Sequence, residues 1–214
     1  DRAHAETDAE ARAIAQGRAD LLTPVTKAFA SDVGVEVGSL GIQVFGGMGY
    51  VEETGAAQHL RDARIAPIYE GTNGIQALDL LGRKVFGTQG KSQQMMVGRV
   101  KETIEKFGSI EAVAPMATEL ARRLEQWNKL TLDLGMVVMK NPDEAGAAAT
   151  DYLAFAGYVC LGWCWLASAG VAAKRLEAGG GDPDLYKAKL TTARFYFDRL
   201  LPRVDAHAAA ARAG

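Results

Sequence analysis

Neither sign of charge prevails in this sequence, where 24 Lys and Arg face 26 Asp and Glu. Nucleic acid and acidic membrane surfaces thus have no electrostatic claim as partners. Cysteine is nearly absent: Cys160 and Cys164 sit one helical turn apart in an apolar run, with no histidine or acid beside them. Two such thiols make neither a metal site nor a disulfide framework, so they are read as core, and no metal ligand is assigned. A basic-then-apolar leader is missing from the start of the sequence, which makes a reducing cytoplasm the default compartment. Strand patterns are missing too, since no stretch alternates apolar and polar residues for long. Prolines number only 6, so little interrupts helices.

What is abundant is alanine, together with a hydrophobic share of 48% over 214 residues. Alanine loses no side-chain entropy in a helix, and this much apolar surface can bury a core. The expected fold class is therefore all-α. The chain opens at Asp1, without a methionine, ahead of an amphipathic segment. A sequence cut from a longer protein is expected.

Ala11, Ile14, Arg18 and Leu21 recur at helical spacing, and Thr23-Pro24 offers an N-cap and a first-turn proline, so one helix should end there and another begin. From Val25 the apolar stripe Phe29, Val33, Val37, Leu40 and Val44 shares a helix with Gly34, Gly38 and Gly41. Each glycine costs roughly 1 kcal/mol against alanine in a helix interior, so a close approach by a second backbone or a ligand is expected on this face. Gly46-Gly47-Met48-Gly49-Tyr50 stops the helix, and a short charged helix follows over 56–63. Pro67 interrupts, Ile68-Tyr69-Glu70-Gly71 should turn or extend, and Thr72 can cap a helix carrying Ile75, Leu78, Leu81 and Val85.

Small and polar residues from Gly87 to Ser92 read as a linker, dividing a helical unit over 1–87 from a second over 91–214. The second unit should hold a short helix over 95–107, then a long one opened by Pro115. Along that helix Met116, Leu120, Leu124, Trp127, Thr131, Leu134 and Val138 form the seam of an antiparallel bundle. After Asn141-Pro142-Asp143 comes a helix over 147–176, with no charge between Tyr152 and Ala173. Its length admits a membrane span, but its Ala and Gly content and its amphipathic neighbours favour the centre of a bundle, and no membrane span is assigned. Gly179-Gly180-Gly181 ends it, and Asp182-Pro183 opens a last helix facing the core through Tyr186, Leu190, Ala193, Phe197 and Leu200. The alanine-rich tail beyond Pro202 is expected to fray. His4 and His207 fall in such ends, His59 lies on the short charged helix, and Trp163, Trp165, Met95 and Met96 read as core filling.

Three motifs in register carry the functional reading: Gln43-Val44-Phe45-Gly46-Gly47-Met48-Gly49-Tyr50, then Arg61-Asp62-Ala63-Arg64-Ile65, then Ile68-Tyr69-Glu70-Gly71-Thr72-Asn73-Gly74-Ile75-Gln76. In order and spacing they resemble the C-terminal helical domain of acyl-CoA dehydrogenases. The resemblance is dense over 21–85. The helical unit from Lys91 onward resembles the accessory C-terminal domain of a longer subfamily, whose members oxidise long-chain acyl-CoA or 3-methylthiopropionyl-CoA.

The resemblance implies an FAD-dependent oxidation of an acyl-CoA thioester to a trans-2-enoyl-CoA, with the α-hydrogen leaving as a proton and the β-hydrogen as hydride. It assigns the catalytic base to Glu70, close approach of substrate to Gly71, and FAD contacts to Gln43, Gly46, Gly47 and Thr72. The Gln43 to Gly47 contacts fall at the adenine end of the flavin, often in a neighbouring subunit, so a homo-oligomer is implied, as is an acceptor like electron-transfer flavoprotein. Gly74 departs from the glutamine that many relatives carry there, and the long subfamily shares it. Taken alone, Glu70 is a solvated acid near a helix start, Thr72 an N-cap, and Gly46-Gly47 a helix stop. The family's other domains find no counterpart in the sequence, so this chain alone is expected to be inert and to retain no FAD. The rival reading is a non-catalytic helical assembly module, for which Gly34, Gly38 and Gly41 would be packing features.

Overall fold

A computed structural model describes residues 2–213, and among these every element is helical and none is a strand. The main elements are α1 (Arg2–Ala5), α2 (Ala9–Phe45), α3 (Gly47–Tyr50), α4 (Ala56–Arg64), α5 (Asn73–Leu78), α6 (Lys91–Phe107), α7 (Ala114–Val138), α8 (Glu144–Glu177), α9 (Pro183–Phe195) and α10 (Val204–Ala213). The all-α expectation holds.

Helix α2 is one 37-residue helix with Pro24 inside it, so the expected break at Thr23-Pro24 does not occur. Proline removes a helical hydrogen bond and crowds the preceding turn, at about 3 kcal/mol. Packing overrides that cost here: Leu21, Pro24, Val25 and Ala28 are all buried on the same face. Thr23 caps nothing, and its hydroxyl instead donates to the Ala19 carbonyl at 2.7 Å. The actual N-cap is Asp8, whose carboxylate accepts from Ala11 N–H at 2.8 Å.

Of the three glycines expected to admit a close neighbour, only Gly38 does, since a Cβ there would lie 3.1 Å from Leu60 Cα of α4. Gly34 and Gly41 face open space. The stripe also divides along its length. Phe29 packs on the core, while Val37, Leu40 and Val44 remain exposed.

Helix α6 begins at Lys91, earlier than expected, and α7 buries Met116, Leu120, Leu124, Trp127 and Leu134 along the expected seam. Helix α8 packs against α2, α5, α6, α7, α9 and α10, which accounts for its uncharged stretch. Among the described residues it is the one helix long and apolar enough to cross a membrane. Its apolar surface is used instead in the middle of the fold, with Tyr152, Phe155, Ala156, Val159 and Leu166 at 0% exposure. Asp182 caps α9 as expected, accepting from Asp184 and Leu185 N–H.

The tail does not fray. Val204, Ala208 and Ala211 of α10 are buried and pack on α8. His207 is fixed as well, stacked on Tyr158 at 5.7 Å and 2.8 Å from Asp151. The reason is small residues at helical spacing, which let α10 approach α8 closely.

The first helices and the later bundle share one buried cluster, from Leu21, Val25 and Leu80 to Leu124, Phe155 and Tyr196. At the seam, Phe29 lies edge-on to Tyr158 with ring centres 4.9 Å apart, and Arg203 bridges Glu36 at 2.8 Å and the Tyr158 hydroxyl at 3.1 Å.

Candidate functional site

Beyond α4 the chain makes a tight closed loop. Ile68 N–H donates to the Ile65 carbonyl at 2.9 Å, and Asn73 N–H donates back to the Pro67 carbonyl at 3.0 Å. At the far side of that loop Glu70 (φ 52°) and Gly71 (φ 83°) both hold left-handed backbone. Glycine adopts it freely, but a glutamate there costs about 1–2 kcal/mol, so the surroundings must impose it.

Helix α2 supplies the constraint. Lys27 Nζ donates to the Gly71 carbonyl at 2.7 Å and to Asn73 Oδ1 at 2.9 Å. Asn73 Nδ2 lies 3.1 Å from the Ala28 carbonyl, 2.9 Å from Ser31 Oγ and 2.7 Å from Asp32 Oδ1. Thr72 then begins α5 as its N-cap, its hydroxyl accepting from Ile75 N–H at 3.3 Å. A Cβ on Gly71 would come 2.9 Å from Gln76 Nε2, so any side chain at 71 would displace that amide as well as strain the backbone.

The Glu70 side chain is exposed, and so are its apolar neighbours in the chain, Ile68, Tyr69, Ile75 and Leu78. Of the apolar residues carried beyond Thr72, Leu81 and Val85 are buried with Ala77 and Leu80, while Ile75 and Leu78 are not. An acid with exposed apolar neighbours is placed to accept a proton from a group that an apolar surface brings against it.

The glycine motif lies elsewhere. Gly46 caps α2 with φ 63° and ψ −146°, a conformation open essentially to glycine alone, and its N–H donates to the Gln43 carbonyl at 3.1 Å. Gln43, Gly46 and Gly47 are exposed, and nothing lies within 4 Å of a Cβ built on Gly46 or Gly47. Gly49 is different, because a Cβ there would sit 2.2 Å from the Ile42 carbonyl oxygen, so it is fixed by packing. Gln43 follows Lys27 by sixteen residues of continuous helix, about 24 Å at 1.5 Å per residue. The structure therefore gathers Glu70, Gly71 and Thr72 on one loop and leaves Gln43, Gly46 and Gly47 at the far end of α2. Lys27, Ser31, Asp32 and Asn73 escaped sequence reasoning. Lys27 and Ser31 do share a helix face by spacing, but nothing local names Asn73 as what they meet.

Residues 2–85 match the family described as "Acyl-CoA dehydrogenase, C-terminal domain", and residues 96–214 match that described as "Acetyl-CoA dehydrogenase C-terminal like". The chain is 38% identical to 3-methylmercaptopropionyl-CoA dehydrogenase of Ruegeria pomeroyi, over 92% of this chain and 34% of that protein. It is 27% identical to the broad-specificity linear acyl-CoA dehydrogenase FadE5 of Mycobacterium tuberculosis, over 86% of this chain and 31% of the relative. The crystal structure of Caenorhabditis elegans ACDH-11 in complex with C11-CoA superposes with a TM-score of 0.67 at 22% identity, covering 91% of this chain and 30% of that one. That last likeness bears on the fold. The chain spans about a third of the length of these relatives.

Proposed function

Because this chain belongs to the acyl-CoA dehydrogenase family, we propose that it is the C-terminal part of an FAD-dependent enzyme that oxidises an acyl-CoA thioester to the trans-2-enoyl-CoA, with Glu70 as the base. Bound FAD would accept the β-hydride, and this chain's residues do the rest. Glu70 takes the α-proton, and its backbone N–H donates to the thioester oxygen where negative charge develops. Gly71 leaves room for the thioester beside the backbone. Gln43, Gly46 and Gly47 offer an exposed amide and an unobstructed glycine surface, and Thr72 an exposed hydroxyl, which fits one wall of a flavin site and no more. The roughly 24 Å of helix between Lys27, which holds the Glu70 loop, and Gln43 suits residues that serve different flavins across a subunit boundary. We read 1–87 and 91–214 as the catalytic and accessory units, a division supported by family matches that break between 85 and 96.

The observation that carries this reading is Glu70 itself: a carboxylate held on left-handed backbone by a dedicated network and left uncovered amid apolar side chains. The test uses the full-length enzyme. Glu70→Gln keeps the shape and hydrogen-bonding capacity of the side chain but accepts no proton. Flavin bleaching by acyl-CoA under anaerobic conditions should slow by about 10⁴-fold or more, the upper end of general-base effects, while FAD and thioester binding persist. Near wild-type bleaching would assign the base elsewhere. A panel of linear acyl-CoAs with 3-methylthiopropionyl-CoA would define the substrate. An acceptor like electron-transfer flavoprotein, a homo-oligomer and a cytoplasmic location complete the proposal.

A second reading, a helical module for assembly without catalysis, is favoured by the exposed run Val37, Leu40, Val44 and Phe45 on α2. A full-length protein that oligomerises but never reduces its flavin with any thioester would support it.

A further inference from the structure

The loop that presents Glu70 is tied down by groups outside the motif. We propose that Lys27 and Asn73 are positioning residues for Glu70, clamping loop 67–73 onto α2 so that the carboxylate meets the substrate from a fixed direction; this rests on Glu70 being the base.

The loop is closed at its ends by Asn73 N–H to the Pro67 carbonyl at 3.0 Å, with Glu70 and Gly71 between them in left-handed backbone. A closed loop of this kind can still swing as a unit. The swing is stopped by Lys27 and Asn73. The Lys27 ammonium pulls on the carbonyl of Gly71, the residue next to Glu70, at 2.7 Å and on Asn73 Oδ1 at 2.9 Å. Among the described residues Lys27 forms no ion pair with a carboxylate, so its charge goes into these two neutral oxygens. Hydrogen bonds from a charged donor are about twice as strong as neutral ones. Asn73 completes the clamp by reaching Asp32 Oδ1 at 2.7 Å and Ser31 Oγ at 2.9 Å on the same helix. Both clamp residues are only half-buried. Leu21, Val25 and Ala28 of α2 and Ala77 of α5 belong to one buried core, so apolar packing also holds the two helices together. Cutting the clamp should thus free the loop and leave the helices in place, and a misplacement of about 1 Å at a reacting group can cost roughly a hundredfold in rate.

The experiment is done on the full-length FAD-loaded enzyme with the linear acyl-CoA that it turns over fastest. Lys27→Met and Asn73→Ala should lower the rate of anaerobic flavin reduction by about ten- to a hundredfold. FAD content and the affinity for the enoyl-CoA product should stay near wild type, and Lys27→Arg, which keeps the charge, should recover most of the rate. Glu70→Gln is run alongside. If Glu70→Gln still reduces flavin, the base reading fails and this proposal falls with it. If Glu70→Gln is dead while Lys27→Met matches wild type, the base reading stands and the clamp alone is overturned. Loss of FAD or product affinity in step with the rate, or no recovery in Lys27→Arg, also overturns it, because either would make Lys27 a general structural tie.

Discussion

Arg123 is 2% exposed, yet it carries a full charge into the middle of the helical bundle. Glu119 and Gln126 meet it from its own helix, and Asp205 meets it from α10, 82 residues away. The hydrogen bond from Arg123 is the main reason that the Asp205 carboxyl is held below its ordinary pKa, against a smaller opposing effect of burial. A carboxylate with a depressed folded pKa stabilises the fold above its unfolded value, and that stability is lost as pH falls through the folded pKa. Asp205→Asn should therefore be less stable than wild type near neutral pH, by no more than about 1 kcal/mol because solvent screens the half-exposed Asp205 side of the pair. The gap should begin to narrow as pH falls below the unfolded aspartate value of about 3.9 and should be smaller at about pH 3 than near neutral pH. Urea unfolding of both proteins at the two pH values checks it, and a gap that stays constant would show that charge is not the cause. Nothing around Arg123 in the sequence suggests this role, because its partner lies in the alanine-rich tail that looks least structured.

Helix α8 shows how an element's glycines divide by what they face. A Cβ on Gly157 would stand 2.3 Å from Phe29 Cγ, and one on Gly170 would stand 2.3 Å from Phe107 Cγ, so each glycine is the seat of a ring from another helix. Gly146, on the same helix, faces nothing within 4 Å. Gly157→Ala and Gly170→Ala should each destabilise by about 1–3 kcal/mol through overpacking. Gly146→Ala should instead stabilise by up to roughly 1 kcal/mol through helix propensity. Denaturation midpoints of the three variants measure this, and equal shifts would refute the packing argument. The uncharged run from Tyr152 to Ala173 marks α8 as buried from sequence alone. Which of its glycines admit a ring is invisible there, because Phe29 lies well over a hundred residues earlier. Pro24 in α2 teaches the converse: the local rule for a helix break is sound, and burial of Leu21, Val25 and Ala28 beside it outweighs the rule.

At the scale of the molecule, a well-packed bundle carries an uncovered rim. Val44 is 84% exposed, Tyr50 83%, and Val37, Leu40, Phe45 and Met48 are also open. They flank or belong to the same motif as Gln43, Gly46 and Gly47, while Glu70 is exposed among exposed apolar neighbours in the chain. Groups that form no more than one wall of a pocket offer little of the binding energy that an enclosed pocket provides. The isolated 214-residue chain should consequently purify without stoichiometric FAD and fail to oxidise any acyl-CoA. A yellow preparation with flavin at one equivalent would contradict this.

The helical class, the turn and cap positions at Gly46, Thr72 and Asp182, the depth of α8 and, through three motifs in register, the family are all legible in the residues alone. Helical periodicity, capping side chains and glycine conformations act over short stretches of chain, so they leave a local record. Folding in three dimensions is what carries α2 through Pro24, docks α10 on α8, joins Arg203 to Glu36 across 167 residues, and lets Lys27 grip the Glu70 loop at Gly71 and Asn73, 44 and 46 residues on. Those outcomes are settled by which buried surfaces and polar groups meet after the chain has folded. No local pattern at Lys27 or Pro24 records what will be packed against it.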